Sequence, residues 1–204
     1  MSFDPYNFDY KQYVLETYGL SESPNRIQNM KMRGDDHILN SEDSIWVEKN
    51  AEFIGNWTIK NAKLKWRLFF FKEGNTETFY LLDENTPFIC SEYSYKRITS
   101  PINGIENKHI WNFKWDRGLF RLFFDNYIIS KENTIVSDAS LTESGFKFWK
   151  YLFKEHVSTQ NTHKMFVINM DDSNILSGIR KENQMDEFYT DTKSGKYRFV
   201  LQKI

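Results

Sequence analysis

Short runs of β-branched and aromatic residues, separated by turn residues, fill the chain between Ser44 and Ile98 and constrain its fold more than any other feature. Runs of this kind are typical of β-strands. The expected strands cover residues 45–47, 57–59, 64–71, 78–82 and 88–98. Between the third and fourth runs, Gly74-Asn75 predicts the tight turn of a hairpin. The first half of the chain is therefore predicted to be mainly β-structure.

The second half changes its hydrophobic period. Residues 119–130 are almost continuously apolar and predict a buried helix, and Thr142 can cap a second helix over 143–155. Strands are expected at 108–115, 134–136, 164–170 and 197–201, whereas the polar stretch 171–195 gives no assignment. From residue 76 the predicted order is β-β-β-α-β-α-β-β. This order indicates an α/β fold with a mixed (α+β) sheet and helices packed on it.

The 204 residues fit a single domain with a sizeable core. We expect an N-terminal extension over 1–50 with a helix at 9–18, leading strands over 51–75, and the core over 76–204. No internal repeat or flexible linker indicates a second domain.

The charge balance and the cysteine content exclude several classes of protein. There are 27 Lys and Arg against 28 Asp and Glu, a net charge of −1 that makes nucleic acid or an anionic membrane an unexpected partner. No apolar run spans a bilayer, and the N-terminus lacks the order of a signal peptide. The single cysteine excludes internal disulfides and cysteine-based metal clusters, and no metal is expected. Abundant Lys, Asn, Ile and Phe with only three Ala suggests a phage, viral or low-GC bacterial gene.

The element order and three local segments resemble the GNAT-type N-acyltransferase superfamily over residues 76–204. Arg117-Gly118 stands where that family has its phosphate-cradling loop and helix, TIVSD (134–138) stands for the next strand, and 142–149 lies over the second helix motif. The resemblance implies that Arg117, Gly118 and Leu119 hold the phosphates of acetyl-coenzyme A. It also implies a strand glutamate, here Glu92, as a base acting through water.

Two departures from the family pattern point away from catalysis. Phe120 stands where the loop needs a residue with little or no Cβ bulk. Trp149 stands where many members have a tyrosine that protonates the departing thiolate, and an indole N–H does not titrate usefully. Tyr151 is the nearest tyrosine, but two residues turn it about 200° round the helix. The catalytic candidates are thus Glu92 and Tyr151, with no cofactor expected unless the enzyme interpretation holds.

Other residue groups favour structural interpretations. His156 and His163 flank a polar loop and are expected to be exposed loop-end residues, and Cys90 with His109 has no context that would activate the thiol. Ser137-Asp138 is expected to serve the turn at a strand end. The aromatic stripe 66–71 is expected to be core or protein interface, and binding of single-stranded nucleic acid is the competing interpretation.

The sequence therefore predicts a non-catalytic GNAT-like phage or viral protein that acts through protein–protein contacts. It would be a virion or assembly component, or an accessory protein acting on a host target, located in the host cytoplasm or the virion. The alternatives are a coenzyme A-dependent N-acyltransferase and a single-stranded nucleic-acid binder. The oligomeric state is left open.

Overall fold

A computed structural model describes residues 41–58, 65–84, 89–112, 117–171, 174–193 and 195–204. Within these ranges the chain has a mixed α/β fold with nine strands in one mixed sheet and four helices. The chain divides into two compact units, each made of separated stretches. The first unit comprises Met1–Lys72, Thr78–Glu92 and Trp111–Phe120, and the second comprises Glu73–Glu77, Tyr93–Ile110 and Arg121–Ile204. The predicted helix at 9–18 lies outside the described residues.

The nine strands follow the order β1-β2-β3-β4-β5-β6-β9-β7-β8 across the sheet. They are β1 (Glu52–Thr58), β2 (Lys65–Glu73), β3 (Thr76–Asp83), β4 (Ile89–Ile98), β5 (Gly104–Asn112), β6 (Thr134–Val136), β7 (His163–Asn169), β8 (Ile175–Ile179) and β9 (Tyr197–Lys203). Strands β5 and β6 are parallel, while β9 runs antiparallel to both of its neighbours, β6 and β7.

Two of the four helices contain a π-helical segment. Helix α1 covers Ser41–Asn50 and helix α4 covers Gln184–Lys193. Helix α2 consists of Arg117–Phe123, the π-helical segment Phe124–Ile128 and a last turn Ile129–Lys131. Helix α3 consists of Glu143–Leu152 followed by the π-helical segment Phe153–Thr159. A π-helical segment adds a residue to the turn and is frequent at functional sites.

In the first unit, helix α1 packs on the strands through one buried valine. Val47 contacts Phe69 of β2 and Leu82 of β3, and all three side chains are buried. The prediction of a strand over 45–47 is therefore wrong. Ser44 and Val47 are buried three residues apart, the spacing of one helical face, while Ile45 and Trp46 between them are exposed.

In the second unit, the parallel pair β5 and β6 is held close at its start and is short, because β6 ends at Val136. A Cβ atom at Gly104 would lie 2.5 Å from the backbone oxygen of Thr134, so only glycine fits there. The two strands pair only through Ile105 with Ile135 and Glu106 with Val136, although β5 continues to Asn112. The chain passes from β5 to β6 through α2, which makes this part of the chain a β-α-β unit.

The predicted elements from residue 76 onward are all present, with small shifts at their ends. The turn at Gly74-Asn75 joins β2 to β3, and Gly74 adopts the left-handed φ of +57° that such a turn requires. The Thr142 side chain caps α3 by accepting a hydrogen bond from the Gly145 amide at 3.1 Å, as predicted. Within the unassigned stretch 171–195, the structure adds strand β8 and helix α4.

Candidate functional site

A polar cluster lies where helices α2 and α3 of the second unit pack together. One oxygen of the Asp125 carboxylate accepts a hydrogen bond from the Tyr151 hydroxyl, and the other lies 3.0 Å from Nε2 of His156. The imidazole of His156 is buried, whereas the Asp125 side chain is 26% exposed. Both carboxylate oxygens are thus occupied by side chains of α3.

The π-helical segments supply two of these three residues. Asp125 belongs to the π-helical segment of α2 and His156 to that of α3, while Tyr151 lies in the last α-helical turn before the latter. The rings of Phe124 and Phe148 meet edge to face at 4.9 Å beside the cluster and hold the two helices together. The cluster is therefore built on packed helices rather than on loops.

A second imidazole extends the cluster to strand β7. The ring centroids of His156 and His163 lie 5.4 Å apart, and both side chains are buried. Nδ1 of His163 lies 2.9 Å from the Thr162 hydroxyl. Burial lowers the pKa of His163, and the charges of His156 and Lys203 lower it further. The prediction that these two histidines are exposed loop-end residues is wrong, because His156 lies within the π-helical segment of α3, His163 begins β7, and both side chains are at most 4% exposed.

The Tyr151 hydroxyl is held as a hydrogen-bond donor. Burial raises the pKa of Tyr151 well above its usual value, and its hydrogen bond to Asp125 and the negative charges of Asp125 and Glu155 raise it further. The guanidinium of Arg121 lies over the ring at 4.5 Å and opposes this shift. A phenol with a raised pKa gives up its proton reluctantly, so this setting does not favour Tyr151 as a general acid near neutral pH.

The pairing of Asp125 with His156 orients an imidazole in the way that a carboxylate orients a catalytic base. Such a base activates a hydroxyl or thiol that contacts its other ring nitrogen. In the part of the chain that the structure describes, Nδ1 of His156 is buried and has no hydrogen-bond partner. The described residues thus place no protein nucleophile on this imidazole.

The residues expected to hold coenzyme A lie at the start of α2. Arg117, Gly118 and Leu119 form its first turn, but the stretch 113–116 before them and the side chains at 117–119 lie outside what the structure describes. The ring of Phe120, the next residue, is only 2% exposed and is therefore enclosed by protein rather than extended into solvent. All four residues belong to the first unit.

Trp149 is a core residue of the second unit. Its side chain is 1% exposed and stacks on Phe199 of β9 with a centroid distance of 6.1 Å. A Cβ atom at Gly145, one turn earlier in α3, would lie 2.9 Å from the Leu141 side chain, which explains the small residue there. The aromatic residue expected at the family's acid position therefore fills the core.

Glu92 and the residue that follows it belong to different units. Glu92 is partly buried in β4 of the first unit. In the second unit, Tyr93 is completely buried and donates a hydrogen bond of 2.6 Å to Oδ1 of Asn107. Burial raises the pKa of Tyr93, and the charges of Tyr95 and Glu132 raise it further.

The structure brings Tyr151 together with Asp125 and His156, two residues that the sequence did not connect with it.

Several structural interpretations from the sequence are confirmed. The Ser137 hydroxyl accepts a hydrogen bond from the backbone amide of Phe199, and an Asp138 oxygen accepts one from the amide of Ala139. Both residues therefore satisfy backbone groups at the end of β6. The Cys90 thiol is completely buried, whereas His109 is exposed.

The aromatic stripe on β2 is largely core. Trp66, Leu68 and Phe69 are each at most 5% exposed, so these side chains are not available to stack on bases. The Arg67 guanidinium forms an ion pair with Glu48, and Lys65 lies 3.9 Å from Glu84. Rings and cations on this strand thus have partners within the first unit, which weighs against the nucleic-acid interpretation.

Asp125 is the functional residue that the sequence analysis missed. It is the one acidic residue in the apolar stretch 119–130, and an unexplained charge in a buried helix is a signal that such a side chain has a buried partner. Its partners could not be read from spacing, because the π-helical segments alter which residues share a helix face.

Three broader findings are negative. No helix among the described residues has the length and apolar character needed to cross a membrane. The same ranges contain no group of three His, Cys, Asp or Glu side chains positioned to hold a metal ion. No protein-family model, curated protein or solved structure matches the chain.

Proposed function

We propose that the protein is a GNAT-like phage or viral protein that acts through contact with another protein, as a virion or assembly component or as an accessory protein acting on a host target. The observation that carries the proposal is an exposed apolar surface in the first unit. Trp46 and Ile45 of α1 are 44% and 41% exposed, and Phe53 and Ile54 of β1 are 52% and 38% exposed. We call these four residues the Trp46–Phe53 surface. Exposed apolar side chains that cluster are typical of interaction sites.

The two aromatic rings of this surface are held in place by the strand beneath them. Trp46 packs edge to face on Phe71 at 5.0 Å, and Phe53 packs on Phe69 at 5.5 Å. Phe69 and Phe71 are two residues apart on β2 and therefore share a face of the sheet. Rigid aromatic side chains lose little entropy on binding and are frequent anchors of protein interfaces.

Strand β1, which carries Phe53, is poorly suited to pair with a further strand. The register of β1 with β2 shifts between Phe53 and Gly55, and such a bulge twists a sheet edge away from a second sheet. We therefore expect the partner to bind the side chains of the Trp46–Phe53 surface, rather than to extend the sheet.

The arrangement in the second unit supports a role without acyl transfer. Trp149 is buried in the core, and the Tyr151 hydroxyl donates a hydrogen bond to Asp125. The GNAT-like part of the proposal is supported by the β-α-β unit that β5, α2 and β6 form, in which β5 and β6 are parallel.

Photo-crosslinking tests the contact proposal. A benzophenone side chain at Phe53 is expected to capture one protein from infected host cells or assembled virions, and Trp46→Ser is expected to abolish the capture. Leu122 of α2, which is 37% exposed in the second unit, is the matched control position. Capture of the same proteins from both positions, or capture insensitive to Trp46→Ser, would contradict the proposal.

A coenzyme A-dependent N-acyltransferase is the second candidate function, favoured by the position of α2 directly after β5. The first amides of a helix have no acceptor within the helix, so the first turn of α2, at Arg117, Gly118 and Leu119, suits a phosphate group. If the protein is an acyltransferase, these residues bind acetyl-coenzyme A, and Glu92 as a base or Tyr151 as an acid transfers the proton.

Acetyl-coenzyme A binding distinguishes the two functions. A ligand at 100 times its Kd stabilises a fold by about 2.7 kcal/mol, which a thermal-shift assay detects. Gly118→Val should remove the shift by blocking the approach of the phosphate, whereas Gly178→Ala, on an open strand surface, should leave it unchanged. Absence of a shift at millimolar acetyl-coenzyme A would exclude the enzyme.

A further inference from the structure

The buried pair of imidazoles that joins helix α3 to strand β7 has an incomplete set of hydrogen bonds. His156 uses Nε2 toward Asp125 and leaves Nδ1 without a partner, while His163 uses Nδ1 toward Thr162 and leaves Nε2 without one. Both side chains are at most 4% exposed, so water does not reach the unpartnered nitrogens from the surface. A neutral imidazole has one N–H group and one lone pair, whereas a cation has two N–H groups that both need acceptors.

Of the ring nitrogens that face into the protein, Nε2 of His156 has a hydrogen-bond acceptor in Asp125, but Nε2 of His163 has none among the described residues. Nε2 of His156 lies 3.0 Å from the Asp125 carboxylate, which can accept an N–H group at this nitrogen. A proton on His163 would leave a buried N–H group at Nε2 with no acceptor among the described residues. With both rings charged, two cations would lie 5.4 Å apart in a buried setting.

The charged and titratable groups around the pair differ from one side to the other. On one side, Asp125 of α2 contacts both His156 and Tyr151 of α3, and the charges of Arg121 and Glu155 act on Tyr151. Lys203 of β9 pairs with His163 in the sheet and adds positive charge on that side.

We propose that the His156–His163 pair is an acid-sensitive latch that fastens the π-helical segment Phe153–Thr159 to β7. At neutral pH His163 is uncharged and the latch is closed. When the pH falls and His163 binds a proton, the cation gains water by detaching this segment of α3 from the strand. The proposal concerns the second unit and does not rest on the contact made by the Trp46–Phe53 surface.

Hydrogen–deuterium exchange measures the opening. Because one proton is taken up, the opening constant of residues 153–163 should rise by up to about tenfold per pH unit below about pH 6.5, after correction for intrinsic exchange rates. Residues 143–150 of the same helix should keep their protection. The variant His163→Asn places an amide near Nδ1, does not titrate, and should remove the pH dependence. His109→Asn, at an exposed histidine, is the matched control and should leave it unchanged.

The proposal is overturned if the pH dependence persists in His163→Asn or if it is equal over 143–150, since the latter would indicate global acid unfolding. It is also overturned if opening does not change between pH 7.5 and 5.5. Should His163→Asn fail to fold, NMR titration of the histidine rings in the unmodified chain replaces it. The latch requires that His163 titrates together with the amide signals of 153–159, and a His163 ring that titrates alone refutes it.

Discussion

Replacement of Asp125 is expected to destabilise the second unit more than its partial exposure would suggest. The carboxylate receives the Tyr151 hydroxyl and contacts Nε2 of His156 at 3.0 Å. Hydrogen bonds to charged groups contribute about 1.5–3 kcal/mol each, and removing an acceptor also leaves its buried donor unsatisfied. Because the Asp125 side chain is 26% exposed, we expect Asp125→Ala to cost about 2–3 kcal/mol rather than the full sum.

Thermal unfolding and a double-mutant cycle measure this effect. For a chain of this length, a loss of about 2–3 kcal/mol lowers Tm by about 4–12 °C. Asp125→Ala and Tyr151→Phe should together cost less than the sum of their separate effects, with a coupling of about 1 kcal/mol, because they remove the two ends of one hydrogen bond. Glu143→Ala is the control, since Glu143 forms an exposed ion pair with Lys147 and should cost under about 0.5 kcal/mol.

A structural role for Asp125 is contradicted if Asp125→Ala lowers Tm no more than Glu143→Ala does. It is also contradicted if the effects of Asp125→Ala and Tyr151→Phe are additive, because the two side chains would then act independently. A Tyr151→Phe variant that retains stability but shows altered acyl transfer would instead assign the tyrosine to chemistry.

Three further perturbations have expected outcomes. Gly104→Ala should cost about 1–3 kcal/mol in urea unfolding, because a Cβ atom there meets the β6 backbone, whereas Gly178→Ala, where nothing lies within 4 Å, should cost little. Thr142→Ala should cost about 1 kcal/mol by removing the cap of α3, and Thr142→Ser should restore most of it. The pKa of Tyr93 is raised, so the free energy of unfolding should fall as the pH rises above about 10, where the phenol of the unfolded chain ionises. The variant Tyr93→Phe should reduce this fall. It should also cost about 1–3 kcal/mol at neutral pH, because it leaves the buried Asn107 oxygen without its hydrogen bond.

The regular elements of the second half could be predicted because their local signals agree with their environment. Residues 119–130 form the predicted helix, although it is buried on one face and exposed at Arg121, Leu122, Asn126 and Ser130. The Thr142 cap is visible as a residue type before an amphipathic run. The run 45–47 is wrongly predicted as a strand, because β-branched and aromatic residues favour strands only where their side chains pack on a sheet. Among the described side chains of α1, Val47 belongs to the hydrophobic core, and the other buried side chain, Ser44, is polar. The buried face of this helix therefore shows no apolar period in the sequence.

Helix α4 escaped prediction for a related reason. Its sequence is mostly polar, and among its described side chains Met185 and Tyr189, four residues apart, pack against the rest of the unit. Met185 is fully buried, and the Tyr189 ring stacks on Phe146 at 4.1 Å. Such a pair gives a weak periodic signal, although its spacing is that of one helix face.

The cluster around Asp125 also limits what Tyr151 can do. A carboxylate offers two oxygens, and here one accepts a hydrogen bond from the Tyr151 hydroxyl and the other contacts His156, so both contact α3. For Tyr151 to protonate a departing group, its hydroxyl would have to exchange this charged acceptor for one of lower affinity, against a pKa already raised by burial. Trp149, the alternative at the family's acid position, is closed off in the core. The two aromatic residues that the resemblance brings nearest to acid catalysis thus both pack or hydrogen-bond within the second unit and hold α3 in place.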